Sequence, residues 1–400
     1  MSTALTHFPP SLEEARRRLD AFVPRAARAY AERRNLDLGP GGHDHVSTLS
    51  PYVKLRLLDE ITIARAVLDQ HSEKTADKFL AEVFWRTYWK GWMELRPGVW
   101  DQYQHDLRSL RDQIQTQSGL RDRWQAACLG NTGIAPFDAW AQELGETGYL
   151  HNHARMWFAS IWIFTLELPW QLGADFFLRH LLDGDAAVNT LSWRWVAGIQ
   201  TRGKTYLATA ENIVQNTDGR FGKVTGLAEE AQAISAPPNP DARPLPATQD
   251  FTPEGRYGLL THGDDADAAF AAGHAPAPAA RAFVDATAGH SPWVMAPHVS
   301  AFREAAAQSA FGAEGPVPVL ATAQALADWA KAERLDALVA PYAPVGPVHQ
   351  LFAAYRALDG APPLSLPRRA LDTAAWPLAT KGFFPFRKHI PDLIARFVDS

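Results

Sequence analysis

Four hundred residues suggest two or three domains at roughly 150 residues each, with enough chain to bury a sizeable core. Hydrophobic residues at 46% and charged residues at 21% describe an ordinary globular chain, and no apolar run approaches the roughly 18 residues of a membrane span. Residues 1 to 227 balance 26 basic against 26 acidic side chains, so the formal charge of -5 lies in the remainder, and any contact with nucleic acid needs a local patch rather than bulk basicity.

The start, MSTALTHFPPSLEEARRRLD, has no signal-peptide apolar stretch and reads as mature cytoplasmic sequence. Ser11 and Glu14 have capping-box spacing, and Leu12, Ala15, Leu19, Phe22 and Val23 follow at helical intervals. Arg16 to Arg18 reads as an exposed face of that helix. Further helices are expected over 53–70, 76–95, 134–147, 152–166, 171–182 and 186–199, punctuated by Gly- and Pro-containing breaks. The segment 228–256 holds six prolines and reads as a semi-extended linker. Beyond it, candidate strands at 257–261, 293–296, 317–320 and 337–340 alternate with helices at 264–272, 277–288, 300–310, 322–334 and 347–358, the pattern of βαβ units around a parallel sheet. The expected division is therefore a helical domain over 1–227, a linker over 228–256 and a smaller α/β, Rossmann-like domain over 257–400.

A single cysteine, Cys128, excludes a disulfide framework, a thiolate zinc site and a cysteine-ligated iron-sulfur cluster. His43 with His45 and His151 with His153 lack a companion set of ligands, so no metal site is expected. Gly263-Asp-Asp-Ala-Asp267 reads as a solvated helix start. Lys381 to Lys388 carries aromatics suited to holding the C-terminus onto the protein.

Eleven of the 14 tryptophans precede residue 200. Glu82, Trp85, Arg86 and Trp89 fall at i, i+3, i+4 and i+7, placing a carboxylate, a guanidinium and two indoles on one helix flank. Taken alone, such a stripe is more often core than site. The densest polar constellation is Thr147-Gly-Tyr-Leu-His-Asn-His-Ala-Arg-Met156, followed by Leu182-Asp-Gly-Asp-Ala-Ala-Val-Asn-Thr-Leu-Ser-Trp-Arg-Trp-Val196.

Together with Leu49-Ser-Pro51 and Glu82 to Arg86, these blocks resemble, in order and spacing, the flavin-binding region of DNA photolyases and cryptochromes, over about residues 8 to 223. The resemblance implies a mainly α-helical FAD-binding domain of photolyase type. It places Tyr30, Ser47, Leu49, Ser50 and Arg86 at the phosphates of FAD. Asn152, Arg155, Asp183, Asp185 and Asn189 fall beside the isoalloxazine, with Asp183 the partner of Arg155 and Asn189 facing the flavin N5. Glu82, Trp85, Met156 and Trp195 match residues around a flipped pyrimidine dimer. Trp193 and Trp170 match the inner and middle members of a chain that photoreduces the flavin, with Trp100 first choice for its surface member and Trp124 second.

The implied function is light-driven splitting of pyrimidine photodimers in damaged DNA, single- or double-stranded. The alternatives are a cryptochrome-like blue-light photoreceptor that signals to a protein partner and a redox flavoprotein indifferent to light. His153 stands where an arginine is usual, Val46 replaces a threonine, and Gly203 to Phe221 replaces the usual R-I-F-N-P segment. The α/β part follows the helical part, whereas photolyases carry their antenna domain first. Circular permutation and an unrelated appended domain are both open, and the sequence names no antenna chromophore.

Overall fold

The computed structural model describes residues 2–247, 255–273, 276–312 and 315–398. Helices fill the first 217 residues: α1 (Leu12–Phe22), α2 (Glu60–Leu68), α3 (Glu73–Glu94), α4 (Gly98–Thr116), α5 (Ser118–Leu129), α6 (Ala135–Thr147), α7 (Asn152–Ser160), α8 (Trp170–His180), α9 (Ala186–Val196) and α10 (Ala210–Asn216), with shorter turns between them. Side-chain caps set several starts. Ser11 accepts from Glu14 N at α1, and Ser72 accepts from Thr75 N at α3. Asp185 accepts from both Ala187 N and Val188 N at α9, and Gly148 in the left-handed region ends α6.

The expected helix over 53–70 is broken. A short helix ends at Lys54, Arg56 takes a φ of 51°, and Asp59 caps α2 afresh. Arg56 there reaches Asp372 at 2.8 Å, a long-range pair that local periodicity does not encode. Helices α4 and α5 were not anticipated. The apolar face of α4 (Val99, Trp100, Tyr103, Leu107, Leu110, Ile114) does recur at helical spacing, but between polar stretches.

The later part holds five parallel strands, β1 (Tyr257–His262), β2 (Ala280–Val284), β3 (Val319–Leu320), β4 (Ala337–Val339) and β5 (Leu364–Ser365), in the order β3-β2-β1-β4-β5. Helices α11 (Pro297–Phe311), α12 (Ala323–Ala332) and α13 (Pro347–Arg356) make the crossovers after β2, β3 and β4. Residues 277–288, expected as a helix, contain β2. Its alanines favour a helix, but Ala282, Phe283 and Val284 are buried in the sheet. Residues 293–296 form no strand, and Val294 is 87% exposed.

After the sheet come α14 (Ala370–Ala375), α15 (Phe383–Arg387) and α16 (Ile390–Phe397). The core does not divide at the expected boundary. Leu371, Phe383, Phe386, Leu393 and Ile394 share one apolar cluster with α2, α3 and α8, whereas the face of the sheet has its own cluster around Leu260, Leu338 and Phe352. The described part of the linker has no regular structure, yet it is pinned to the helical part by Ile234 N to Ala197 O (3.0 Å) and Arg243 N to Leu95 O (2.8 Å).

The carboxyl ends of β1 and β4, where a sheet of this order offers a ligand crevice, meet the helical part through buried charges. Lys54 Nζ donates to Gly263 O at 2.8 Å and pairs with Asp264. Arg369 binds Asp265 at 2.8 and 2.9 Å, and Glu94 accepts the Tyr342 hydroxyl at 2.8 Å. Asp264 and Asp265 are thus buried and paired, not a solvated helix start, because Lys54 and Arg56 of the helical part and Arg369, just before residue 370, supply cations to them.

Candidate functional site

A cavity of about 590 Å³ lies among α3, α7, α9 and the segment from Tyr30 to Val53. Its volume is within the usual range of small-molecule and cofactor sites. Tyr30, Ser47, Leu49, Ser50, Glu82, Trp85, Arg86, Asn152, Arg155, Met156, Asp183, Asp185, Asn189, Trp193 and Trp195 all line it. The flavin-side and lesion-side sets expected from sequence therefore meet in one space. Trp170 and Trp100 are outside its lining.

Helix geometry explains the convergence. Glu82, Trp85, Arg86 and Trp89 present one flank of α3 to the cavity, and Asn152, Arg155, Met156 and Ala159 present one flank of α7. Helix α9 brings Val188, Asn189, Ser192, Trp193, Trp195 and Val196.

Arg155 holds Asp183 through two parallel bonds of 3.0 and 2.9 Å and also donates to Leu150 O. Burial pushes the Asp183 carboxyl up, but Arg155 and a hydrogen bond from Ser50 outweigh it and hold the group below the usual carboxylate range. Asp185 spends one oxygen on capping α9, while the other lies 3.6 Å from Lys90, 3.8 Å from Lys54 and 3.4 Å from Arg86. Burial opposes the charge, yet these cations keep its pKa at about 2. Asn189 Nδ2 donates to Ala174 O at 2.8 Å, which fixes the amide and leaves its carbonyl oxygen as the remaining polar atom.

On the α3 flank, Glu82 is paired with Arg34, a residue the sequence reading did not select. Burial raises the Glu82 pKa despite that pairing. Trp85 lies against Trp89 and is covered on one face by Phe383, with centroids 3.6 Å apart and planes 11° from parallel. Trp195 stacks on Tyr206, whose hydroxyl lies 3.1 Å from His153 Nε2. Both residues belong to the stretches that depart from the family pattern, and here they brace a cavity tryptophan.

Trp193 is buried edge-on to Phe177 and Trp162, with its tip over Gly173 of α8. Trp170, three residues before that glycine, packs on Tyr103 at 5.7 Å, and Tyr103 packs on Trp100 at 5.3 Å. Trp100 is not a surface residue: it is 1% exposed and lies under His290. Trp124, the second choice, is partly exposed and packs on Trp293 at 5.3 Å.

Residues 79–220 match the family model described as the FAD binding domain of DNA photolyase. Over 224 residues the chain is 33% identical to the deoxyribodipyrimidine photo-lyase of Thermus thermophilus, covering 54% of this chain and 50% of that protein.

Residues 79–220 thus resemble the FAD-binding domain of the photolyase/cryptochrome family.

Relatives of the same printed name include those of Neurospora crassa, 28% identical over 52% of this chain and 34% of that protein, and of Escherichia coli, 26% identical over 50% and 42%. The chain spans half or less of the length of these photolyases. Among solved structures, a bacterial class III photolyase from Agrobacterium tumefaciens aligns at 24% identity and a TM-score of 0.43, over 52% of this chain and 43% of that one. A Synechocystis cryptochrome aligns at 24% identity and a TM-score of 0.44, with the same coverage. No helix among the described residues is long and apolar enough to cross a membrane.

The donor set fits a flavin dinucleotide. Hydroxyls of Ser47 and Ser50 with the Arg86 guanidinium suit a pyrophosphate, and the amides of Asn152 and Asn189 suit the polar edge of a heterocycle. The apolar walls and indoles supply stacking surface.

Proposed function

We propose that this chain is an FAD-dependent, light-driven enzyme that splits pyrimidine photodimers in damaged DNA. The observation that carries the reading is the single cavity in which Asn189 and the Arg155–Asp183 pair share walls with Glu82, Trp85, Met156 and Trp195.

Tyr30, Ser47, Leu49, Ser50 and Arg86 would hold the phosphates of FAD; Asn152, Arg155, Asp183, Asp185 and Asn189 would hold its ring system. Bound there in its reduced form, FAD would supply light-driven one-electron chemistry for opening the two bonds that join the pyrimidines. Asn189 keeps a carbonyl dipole at the cavity wall, fixed by its bond to Ala174 O. Trp85 and Trp195 give flat surfaces on which an extruded dimer stacks, and Met156 packs against it. Glu82, with its raised pKa, accepts or donates a hydrogen bond at a thymine edge. Trp193 and Trp170 would serve as electron donors toward that flavin when it is oxidised.

The pairing of Glu82 with Arg34 favours the second reading, a blue-light photoreceptor signalling to a protein partner, because it engages the carboxylate that would meet the lesion. Purified protein, examined for flavin absorbance and then illuminated with dimer-containing single- and double-stranded DNA, separates the two. Dimer loss supports the enzyme. Bound flavin without dimer loss leaves the photoreceptor, and absence of flavin defeats both.

A further inference from the structure

We propose that the C-terminal segment Lys381–Lys388, seated against Trp85, is a nucleic-acid-facing rim beside the cavity, on which Phe384 stacks a base flanking the one held in the cavity while Lys381 and Lys388 meet backbone phosphates. The inference rests on the DNA reading above and adds a surface from outside the family-matched region.

The segment is rigidly seated. Phe383 stacks on Trp85, and both Phe383 and Phe386 lie against Tyr88, at 5.5 and 5.4 Å. The Tyr88 hydroxyl donates to Lys381 O at 2.8 Å, and Arg387 pairs with Asp77 on α3. Phe383 does not line the cavity although Trp85 does, so the cavity meets the indole away from its Phe383-stacked face.

With Phe383 and Phe386 turned inward, Phe384 points out. It is 74% exposed, and burying that surface needs a partner. Its ring centroid is 6.3 Å from Phe383, which itself touches Trp85. Phe384 is thus two ring contacts from Trp85, on the side that Phe383 covers, where a strand leaving the cavity over this segment can lay a flanking base.

The charge around this ring suits a polyanion. Lys381 and Lys388 are exposed on either side of it. Arg387 and Lys78 are close enough to Glu82 to favour its ionised form. The carboxylates this segment meets, Asp77 and Glu82, are each matched by an arginine. Exposed aromatic and flanking cations together form a stacking platform for single-stranded nucleic acid.

The test is binding of a dimer-containing single-stranded oligonucleotide in the dark by the flavin-loaded full chain. Phe384→Ala should weaken binding by about fivefold to a hundredfold, the effect of losing one stacked base. Lys381→Ala with Lys388→Ala should reduce the slope of log affinity against log salt by about 1.4, two phosphate contacts on a single strand. Val294→Ala, at another exposed apolar side chain, should change neither. All four positions are at the surface, and flavin absorbance with a melting curve verifies folding. Unchanged affinity in Phe384→Ala, beside a wild type that binds and repairs, overturns the rim while sparing the function. A flavin-loaded wild type that binds no damaged DNA overturns both.

Discussion

His153 Nε2 lies 3.1 Å from the hydroxyl of Tyr206, and the Tyr206 ring stacks on Trp195 with centroids 5.8 Å apart. The other ring nitrogen faces Asn35 O at 3.2 Å, so the neutral imidazole donates from Nδ1 and accepts the tyrosine proton at Nε2, a tautomer assigned from these partners. Burial depresses the His153 pKa and keeps the ring neutral at pH 7. Tyr206→Phe should leave flavin content unchanged and weaken binding of dimer-containing DNA about fivefold, the worth of one neutral hydrogen bond. Fluorescence titration measures it, and an unaltered affinity would mean that packing alone holds Trp195.

Acid should destabilise the fold between about pH 6.5 and 5: three buried imidazoles resist protonation there, outweighing buried Glu94, whose pKa is raised to about 7 and which works the other way. Burial lowers His151 and His180 to about 4 and His290 to about 3. Each imidazole gains its proton in the unfolded chain near pH 6.5 but resists it when folded, so stability falls as pH drops from about 6.5 toward 4. The loss is on the order of 2 kcal/mol per imidazole by pH 5. Asp185, held at about 2, behaves oppositely: its contribution is present above an unfolded value near 4 and is lost only below that, outside this window. Melting curves between pH 7 and 5 should show a falling Tm, and a flat one would mean these rings are already protonated in the folded protein.

Removing the guanidinium at position 155 strands a buried carboxylate. Arg155→Ala should cost about 3 kcal/mol and strip the flavin, since Asp183 loses both of its bonds from that side chain. Asp183→Asn, which still offers an acceptor, should retain more flavin. The ratio of flavin to protein absorbance, read beside Tm, decides this; full flavin retention in Arg155→Ala would remove Arg155 from the cofactor set.

The tip of Trp193 overlies Gly173 so closely that an alanine Cβ there would sit 2.2 Å from it. Gly173→Ala should therefore displace the indole, at about 1–3 kcal/mol for overpacking. Trp193→Phe should slow photoreduction of oxidised flavin at least tenfold while sparing repair by chemically reduced enzyme. Transient absorption after a flash gives the rate, and undiminished photoreduction would exclude Trp193 from the relay.

Much of the site was legible because its residues lie on three helices with local spacing. The α3 stripe, the His151 to Met156 block and the Asp183 to Trp195 block each carry their geometry in a few turns, and Asp185 announces a helix start by its side chain. What stayed hidden depends on partners distant in sequence. Nothing near Glu82 indicates Arg34, 48 residues earlier, and nothing near Trp85 indicates Phe383. The acidic run after β1 looked solvated because Lys54, Arg56 and Arg369 are contributed from elsewhere. The alanines of β2 favour a helix locally, and burial in a parallel sheet overrides that propensity.

The most direct measurement is the dimer content of ultraviolet-damaged single-stranded DNA before and after illumination with reduced, flavin-loaded protein, run in parallel for wild type and Trp85→Ala at matched flavin content. Dimer repair by the wild type, with none by Trp85→Ala, is the predicted result. Undiminished dimers with flavin-loaded wild type, or equal repair by both proteins, would contradict the assignment of this cavity to lesion repair.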